Sequence, residues 1–537
     1  MPVASGQPTP RLTLIVFAVV IAAGLSTHLS RMRVSLWLDE AWVANSIVAP
    51  TFSRMLYYDR WVQSTPPLFL TLSRLVRSVF GSSEVSLRAV AWLAGAAGVV
   101  ILAGVLRRMF PEILALFGTA LLLTNYYAGS YAQQVKQYST DLLASIVFFA
   151  LTWTCLEHPP RFRTLVLIGC GCILLSYVSV FWLPGLVVVY WLAGRDAAAT
   201  PDAPPRSASR GLIAAGGLAA IYGTSALATL LVFVKPNLGP RLVGAQKDRF
   251  IGSGGWWRSL GRFSQNVCDL LLPQANAPTR LVSWVLGAIA LIGLARCVVG
   301  FARGDRRSTQ LFMVAVPPLI VGMLMSVARQ YPLLVYPRYV IWMLPSLIAL
   351  TIFAVEPVWR WCVRVSGGWL ATGQALVAGA CICLAAISAG AFIQARRRVP
   401  AEDVRGAYAL LRQRVQPDDT VYVHGGTTEQ FEFYRNREQW SPEHIYWGFT
   451  GWPCCPLNLQ SRVTNRTARV LKTELDDLAR IRRGRLWILL PGVEAGKWSS
   501  YMAPLMRNVP ALMQPAGWRT VNKTYLPGAT LYEMDHP

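Results

Sequence analysis

Charged side chains are scarce in this chain, and acidic ones are the scarcest. Of its 537 residues, 15% are charged, with 27 Asp and Glu against 51 Lys and Arg, whereas 54% are hydrophobic. A soluble globular protein usually carries about 25% charged residues. This shortage of charge, together with repeated long apolar runs, argues against an ordinary soluble protein and predicts a membrane protein with several spans.

Patterns for metal and nucleic-acid binding are also missing. The five histidines form no HExxH-like cluster and the ten cysteines show no metal-ligand spacing, so no zinc hydrolase site is predicted. No basic stripe with interleaved aromatic residues stands apart from the apolar runs, so the net charge of +24 does not indicate nucleic acid. An oxidising compartment would allow a disulfide from Cys268 to Cys454 or Cys455, which the spacing alone leaves open.

Apolar runs long enough to cross a membrane recur over residues 1–395. A spanning helix needs roughly 20 apolar residues, and about eleven runs qualify. They begin near Arg11, Arg88, Pro111, Tyr138, Arg163, Phe181, Gly211, Leu281, Leu311, Arg338 and Trp369. No small-residue cleavage site follows the first run, so we interpret it as a span rather than as a signal peptide.

The composition becomes polar over residues 396–537. Here the strand-like segments "DTVYVHGG", "RLWILLP", "WRTVNKTYL" and "TLYEMD" alternate with helix-like segments such as "EDVRGAYALLRQRV" and "TEQFEFYRN". This alternation predicts a small soluble α/β domain. The glycines after the first strand, Gly425 and Gly426, are more typical of a turn than of an anion cradle. The predicted fold is therefore a polytopic α-helical membrane domain followed by a C-terminal α/β domain.

Arginines in the short loops predict the orientation. With the N-terminus inside, the basic loops at residues 107–108, 161–163, 195–210, 303–307 and 360–364 all lie in the cytoplasm, as the positive-inside rule requires. The segment Pro66–Phe80 is too short to span and carries Arg74 and Arg77. Its apolar residues recur at helical spacing, so we expect it to lie in the membrane interface. Counting it as a span would place every later basic loop outside.

This topology gathers polar residues on the outer side of the membrane. Asp39 and Glu40 lie in the first outer loop, and the α/β domain lies on the same side. Lys136 with Tyr138, and Arg338 with Tyr339, lie at the heads of two later spans. Polar groups at the edge of the apolar region indicate function. A carboxylate can accept the proton of an attacking hydroxyl, and cations can hold a phosphate that departs.

Each of these residues also has a purely structural interpretation. Asp39 is equally consistent with a solvated loop acid, and Glu40 with an ion pair to Arg54 or Arg60. Lys136 fits a lysine that extends its ammonium group to the interface, and Arg338 fits an exception to the charge rule. The aromatic residues Trp37, Trp42, Tyr57 and Tyr58 are also typical of an interfacial belt.

The motif "LWLDEAW" resembles the acidic signature of GT-C superfamily glycosyltransferases, in the branch of protein O-mannosyltransferases and bacterial aminoarabinose transferases. The segment "TPPLFLTLSRLVRSVFGSSEVSLRAVAWLAGAAGVV" resembles the next block of that branch. The segments "YAQQVKQYSTDLL" and "YPRYVIWMLP" resemble later blocks. Two departures stand out, because many relatives have a histidine where this chain has Thr65, and bacterial relatives often have an acid in place of Gln134.

The resemblance implies a membrane glycosyltransferase that takes a sugar from a polyprenyl-phosphate donor on the outer side and inverts the anomeric carbon. It assigns the catalytic base to Asp39, with Glu40 assisting. It implies contacts of Lys136 and Arg338 with the donor phosphate, and more weakly of Arg88. Further substrate contacts are expected from the aromatic residues Trp37, Trp42, Tyr138 and Tyr339. Membrane lipids and a glycan, lipid or protein acceptor are the implied partners.

Several alternatives remain open at this stage. A transferase with a different donor, or a ligase of assembled glycans, fits the same motifs. A transporter or flippase for lipid-linked sugars usually shows two matching halves with interrupted spans, and this sequence shows no such halves. A scaffold of a cell-envelope assembly is the third class. Some relatives use a divalent metal ion and others do not, and the sequence offers no ligand set beyond Asp39 and Glu40.

Overall fold

The structure is a computed structural model of the whole chain. It describes residues 31–57, 64–198, 207–237, 250–252, 255–273, 276–334, 337–364, 402–448, 473–481, 484–492 and 507–536, with scattered positions between 15 and 29 and between 379 and 393. The first and last predicted spans, which begin near Arg11 and Trp369, fall mainly outside these residues. The same is true of Cys454 and Cys455, so the predicted disulfide partners of Cys268 lie outside the described residues.

The N-terminal part is helical. Its α-helices are α1 (Leu38–Val48), α2 (Phe52–Leu56), α3 (Pro67–Phe80), α4 (Glu84–Met109), α5 (Glu112–Leu123), α6 (Tyr126–Tyr131), α7 (Tyr138–Glu157), α8 (Phe162–Leu175), α9 (Leu183–Ala198), α10 (Ser207–Thr229), α11 (Trp256–Leu271), α12 (Ala277–Ala302), α13 (Arg306–Val327) and α14 (Leu344–Arg364). Two short 3-10 turns, Pro337–Tyr339 and Ile341–Met343, lead into α14.

Six stretches of the described residues are long and apolar enough to cross a membrane. They are Glu84–Met109, Tyr138–Glu157, Gly211–Asn237, Ala277–Ala302, Arg306–Val327 and Ile341–Cys362. Three shorter apolar helices, Glu112–Leu123, Phe162–Leu175 and Leu183–Arg195, lie where three more spans are predicted. A multi-pass helical membrane protein is therefore confirmed, while the count of about eleven spans stays a prediction.

The segment Pro66–Phe80, which was not counted as a span, forms the amphipathic helix α3. This helix is 14 residues long and so shorter than a membrane span. Phe69, Leu70 and Ser73 are buried against the protein. Leu75 and Val79 point away from it, with 60% and 67% of their surface exposed. An apolar face that the protein leaves uncovered on such a short helix is typical of a helix that lies in a membrane interface.

The C-terminal part is built around one five-stranded sheet with the order β2-β1-β3-β5-β4. The strands are β1 (Thr420–Val423), β2 (His444–Trp447), β3 (Leu486–Pro491), β4 (Arg519–Leu526) and β5 (Ala529–Asp535), and the helices are α15 (Val404–Arg414), α16 (Thr428–Glu438) and α17 (Val509–Met513). Strand β1 pairs in parallel with β2 and β3, whereas β5 pairs antiparallel with β3 and β4. The predicted mixture of strands and helices is confirmed.

Two local features of this part bear on the sequence-based expectations. Strand β2 was not predicted, because it lies at an edge of the sheet and none of its four residues is buried, whereas all four residues of β1 are. The glycines after β1 form a closed turn, in which the backbone N–H of Gly426 donates to Nδ1 of His424 over 3.0 Å. Burial lowers the pKa of His424 to about 3, so the imidazole stays neutral and this turn carries no positive charge for an anion.

Helix α1 packs into the core of the C-terminal part. Its buried residues Ala41, Val43, Ala44 and Ile47 share one hydrophobic cluster with residues of α15 and α16, namely Val404, Ala407, Tyr408, Leu411, Phe431 and Tyr434. Burial of this apolar surface, at roughly 25 cal/mol per Å2, holds the two parts together. The helix that carries Asp39 and Glu40 is therefore a structural element of both parts.

Candidate functional site

Asp39 and Arg338 form an ion pair. The Nη1 atom of Arg338 lies 3.1 Å from Oδ2 of Asp39, and each side chain retains 21% of its surface exposed. Asp39 lies in the first turn of α1, where a carboxylate interacts favourably with the helix dipole. Arg338 lies in the turn before α14. The structure thus brings together a carboxylate and a guanidinium group from residues that are 299 positions apart in the chain. Both side chains remain accessible to a ligand.

Glu40 is buried and pairs with Arg88 rather than with Arg54, whereas Arg60 lies outside the described residues. Arg88 donates from Nε to Oε1 of Glu40 over 2.8 Å and from Nη2 to Oε2 over 2.6 Å. The backbone N–H groups of Val135 and Trp37 donate to the same carboxylate, over 2.8 and 3.3 Å. Only 1% of the Glu40 side chain and 3% of the Arg88 side chain are exposed.

Arg88 also binds the chain that precedes α1. Its Nη1 atom donates to the carbonyl oxygens of Arg31, Met32 and Val34 over 3.1, 3.0 and 2.7 Å. Because these bonds and the Glu40 pair occupy the guanidinium group, Arg88 is not positioned to bind a donor phosphate. Its contacts instead fix the path of the backbone that leads into Asp39.

Lys136 is buried beside the Asp39–Arg338 pair. Only 7% of the residue is exposed. Burial lowers the pKa of Lys136 to about 8, opposed by the charges of Asp39 and Glu40 and aided by that of Arg338. No hydrogen bond or ion pair of its ammonium group is found within the described part of the chain. A buried ammonium group without such a partner is suited to bind an anion.

Aromatic rings surround Arg338. Its Cζ atom lies 5.9 Å from the ring centre of Tyr138 and 5.2 Å from that of Tyr339. The rings of Tyr131 and Tyr138 lie 4.8 Å apart. Two of the predicted substrate-binding residues, Tyr138 and Tyr339, are therefore next to the ion pair. Cations over aromatic faces are held in place by the ring quadrupole, which fixes the guanidinium group.

Trp37 and Trp42 are the other two predicted substrate-binding residues. Trp37 is the N-cap of α1, close before the acidic pair in the chain, and Trp42 lies on the following turn. Both are partly buried. Their position on the helix that carries Asp39 fits a role near the substrate, which stays a prediction.

The C-terminal part holds the start of α1 through contacts that the sequence did not indicate. Oε2 of Glu402 accepts a hydrogen bond from the backbone N–H of Leu38 over 2.9 Å. The hydroxyl of Tyr434 accepts one from the N–H of Leu36 over 2.9 Å and donates to Glu84 over 3.2 Å. Nothing in the pattern around Tyr434 or Glu402 distinguishes them from other polar residues of the C-terminal part.

A second contact missed from the sequence joins α6 to α11. The hydroxyl of Tyr127 donates to Oδ2 of Asp269 over 2.6 Å, and Asn125 donates from Nδ2 to the carbonyl oxygen of Leu270 over 2.7 Å. Burial raises the pKa of Tyr131, next to Tyr138, and the charge of Asp269 adds to that rise. Asp269 is therefore a further acid at the edge of the aromatic cluster.

The acidic pair does not form a shared set of metal ligands. Asp39 bonds to Arg338, while both oxygens of Glu40 are used by Arg88 and two backbone N–H groups. Among the residues that the structure describes, no group of three or more His, Cys, Asp or Glu side chains is placed to hold a metal ion. The described residues therefore do not fit the divalent ion that the sequence left open.

Part of the helical region matches a known protein family. Residues 64–202 match the model of the family described as dolichyl-phosphate-mannose-protein mannosyltransferase. This segment includes Arg88, Lys136 and Tyr138, whereas Asp39 and Arg338 lie outside it. The match confirms the resemblance that the motifs indicated, and the chain has a GT-C-like membrane fold.

Solved structures agree with this fold. The chain resembles the crystal structure of ArnT from Cupriavidus metallidurans bound to undecaprenyl phosphate, with a TM-score of 0.51 and 14% identity over 97% of each chain. It is also similar to the oligosaccharyltransferase of Archaeoglobus fulgidus in the apo form, with a TM-score of 0.44 and 13% identity over 89% of this chain and 70% of the other. A comparison with curated proteins gave no match. At 14% identity the similarity to ArnT shows the fold alone.

Proposed function

We propose that this protein is a membrane glycosyltransferase that transfers a sugar from a polyprenyl-phosphate donor to a hydroxyl-bearing glycan, lipid or protein acceptor. The Asp39–Arg338 ion pair with Lys136 buried beside it is the observation that carries the proposal. It combines one accessible carboxylate with two cations at the ends of apolar helices. The match of residues 64–202 to the mannosyltransferase family supports this donor class, as does the likeness to ArnT, whose crystal structure contains bound undecaprenyl phosphate.

In the proposed reaction, Asp39 acts as a general base. Its carboxylate accepts the proton of the acceptor hydroxyl while that oxygen attacks the anomeric carbon of the sugar. The bond from this carbon to the phosphate oxygen breaks, and the electron pair leaves with the polyprenyl phosphate. Direct displacement of this kind inverts the anomeric carbon.

The charges in the site balance during this step. As Asp39 takes up the proton it loses its charge, while the departing phosphate gains one negative charge. Arg338, which pairs with Asp39 at 3.1 Å in the structure, is then free to pair with the phosphate. Lys136 provides a second positive charge in a buried setting, where electrostatic stabilisation is strong.

Glu40 and Arg88 take a positioning role in this proposal, rather than the catalytic and phosphate-binding roles that the resemblance implies. Their buried pair joins α1 to the segment around Val135, which directly precedes Lys136. Glu402 and Tyr434 hold the same stretch from the C-terminal side. The start of α1, which carries Asp39, is therefore held by the Glu40–Arg88 pair on one side and by Glu402 and Tyr434 on the other.

We place this chemistry on the outer face of a bacterial inner membrane. Arg107 and Arg108 lie in the last turn of α4, whereas Arg88 lies near its start. Lys136 and Arg338 likewise precede α7 and α14. The positive-inside rule then puts the basic loops in the cytoplasm and the site on the opposite side, with the C-terminal domain.

The test is an Asp39→Asn variant incubated with a panel of polyprenyl-phosphate sugars. Released polyprenyl phosphate is measured for turnover, and donor binding is measured separately. Loss of a positioned base typically costs 10²–10⁴-fold in rate, with donor binding retained. Asp418→Asn, at an exposed position of the C-terminal part, is the matched control and should turn over normally. Unchanged turnover in Asp39→Asn would remove Asp39 from the mechanism.

A further inference from the structure

A second polar site lies at the other end of α1. An open cleft of about 1100 Å3 is bordered on one side by the end of α1 with α2 and α3, and on the other by α16. Asn45 in this lining is six residues beyond Asp39, which corresponds to about 9 Å along a helix. The cleft is therefore separate from the ion pair of the proposed catalytic site.

The lining of this cleft is strongly basic. Among the described residues it contains the arginines Arg54, Arg77, Arg435 and Arg437, and one carboxylate, Glu432. Arg437 is neutralised, because it pairs with Glu84 over 3.1 Å and with Glu438 over 2.9 Å. The other three arginines form no ion pair within the described residues. Three guanidinium groups against one carboxylate leave the described lining with a net positive charge, which indicates an anionic ligand.

The surroundings of the cleft indicate where that anion comes from. Arg77 lies on α3, whose neighbouring residues Leu75, Val79 and Phe80 have 60%, 67% and 72% of their surface exposed. An apolar face of this kind rests in the boundary between head groups and acyl chains. The cleft then opens at the depth of the lipid head groups, and guanidinium groups match phosphate oxygens in geometry and charge.

We propose that this cleft binds the phosphate-bearing head group of an anionic membrane lipid. The arginines Arg54 and Arg77 contact it from the membrane part, and Arg435 contacts it from α16. The proposal stands independently of the chemistry at Asp39, since none of the three arginines belongs to that site. A lipid held there would bridge the two parts of the protein at a second point besides the start of α1.

The test compares two triple variants in detergent micelles that contain a small fraction of phosphatidylglycerol. Arg54→Gln with Arg77→Gln and Arg435→Gln should bind this lipid at least about tenfold more weakly than the unaltered protein, because charge-assisted hydrogen bonds are lost. Arg414→Gln with Arg507→Gln and Arg519→Gln removes the same charge at exposed positions that do not line the cleft and should leave binding unchanged. Thermal unfolding verifies that both variants are folded.

Two further arms identify the source of the phosphate. Phosphatidylcholine in place of phosphatidylglycerol should bind weakly to all three proteins. Inorganic phosphate at millimolar concentration should compete poorly, because it lacks the acyl chains that place the head group. Equal binding by the cleft variant and the unaltered protein would overturn the proposal, as would an equal loss in the control variant. Binding of inorganic phosphate as tightly as the lipid would overturn the assignment to a membrane lipid.

Discussion

The hydroxyl of Tyr434 accepts a hydrogen bond from the backbone N–H of Leu36, a residue 398 positions earlier in the chain. The same hydroxyl donates to Glu84, at the start of α4. One side chain of the C-terminal sheet domain therefore contacts both the segment before Asp39 and the first turn of a membrane span. The C-terminal part therefore helps to hold α1, the helix that carries Asp39, in place.

Replacement of Tyr434 by Phe tests this support. The ring would keep its packing, but the N–H of Leu36 and the carboxylate of Glu84 would each lose a partner, at a cost of about 1–3 kcal/mol. We expect amide hydrogen exchange of the segment around Leu36 to become at least about tenfold faster. Tyr446→Phe is the control, because Tyr446 bonds to Asp477 within the C-terminal part. Equal protection of the segment in both variants would show that the domain does not hold α1.

The buried pair of Glu40 and Arg88 should contribute strongly to stability. Glu40→Gln leaves the Arg88 charge buried without its counter-charge, and breaking a buried pair typically costs about 3–5 kcal/mol. We expect a matching fall in the free energy of unfolding, measured with denaturant in detergent. Glu112→Gln breaks the exposed pair with Arg107 and should cost about 0–1 kcal/mol. A similar small loss in both variants would contradict the assigned role of Glu40.

Donor binding should weaken at alkaline pH because of Lys136. Its pKa of about 8 means that the ammonium group loses its proton as the pH rises through this value. Donor affinity should fall as the pH rises, since the anionic donor binds to the protonated ammonium group of Lys136. We expect the Kd for a polyprenyl-phosphate sugar to rise above pH 8 by up to about tenfold per pH unit. Lys136→Arg keeps its charge and should give a flat profile between about pH 8 and 10. A flat profile in the unaltered protein would exclude Lys136 from donor binding.

Replacement of Arg338 should affect donor binding more than the stability of the fold, because the side chain is partly exposed and its ion pair with Asp39 is accessible to a ligand. Arg338→Gln removes a charge-assisted contact worth roughly 1.5–3 kcal/mol, so we expect the donor Kd to rise by about 10- to 100-fold. The midpoint of thermal unfolding should change little. Arg303→Gln, at the exposed C-terminal end of α12, is the matched control. Isothermal titration with the donor measures both variants.

Much of the architecture could be predicted from the sequence because its signals are local. Long apolar runs predicted the spans of α4, α7 and α12, and the helical spacing in α3 predicted a short amphipathic helix. The convergence of Asp39 and Arg338 was expected from their places at the edge of apolar segments. Their ion pair confirms the proximity, while their catalytic roles stay predictions.

The partners of the site residues could not be predicted, because they depend on distances that only the fold sets. The sequence left open a pair of Glu40 with Arg54 or Arg60, which follow it in the chain. The actual partner is Arg88, 48 residues away, since α3 packs against both α1 and α4 and so brings the start of α4 next to α1. Glu402 contacts Leu38 across 364 residues, and no periodic pattern carries such information.

The contact between Leu36 and Tyr434 also constrains how the protein is made. Helix α1 is among the first segments to leave the ribosome, yet its hydrogen-bond partners belong to the C-terminal domain. Until that part of the chain has been synthesised and has folded, the start of α1 lacks these bonds. Contacts so distant in sequence form late. A nascent chain interrupted before residue 434 would therefore hold its apolar helices and still leave the start of α1 without its hydrogen bond to Tyr434.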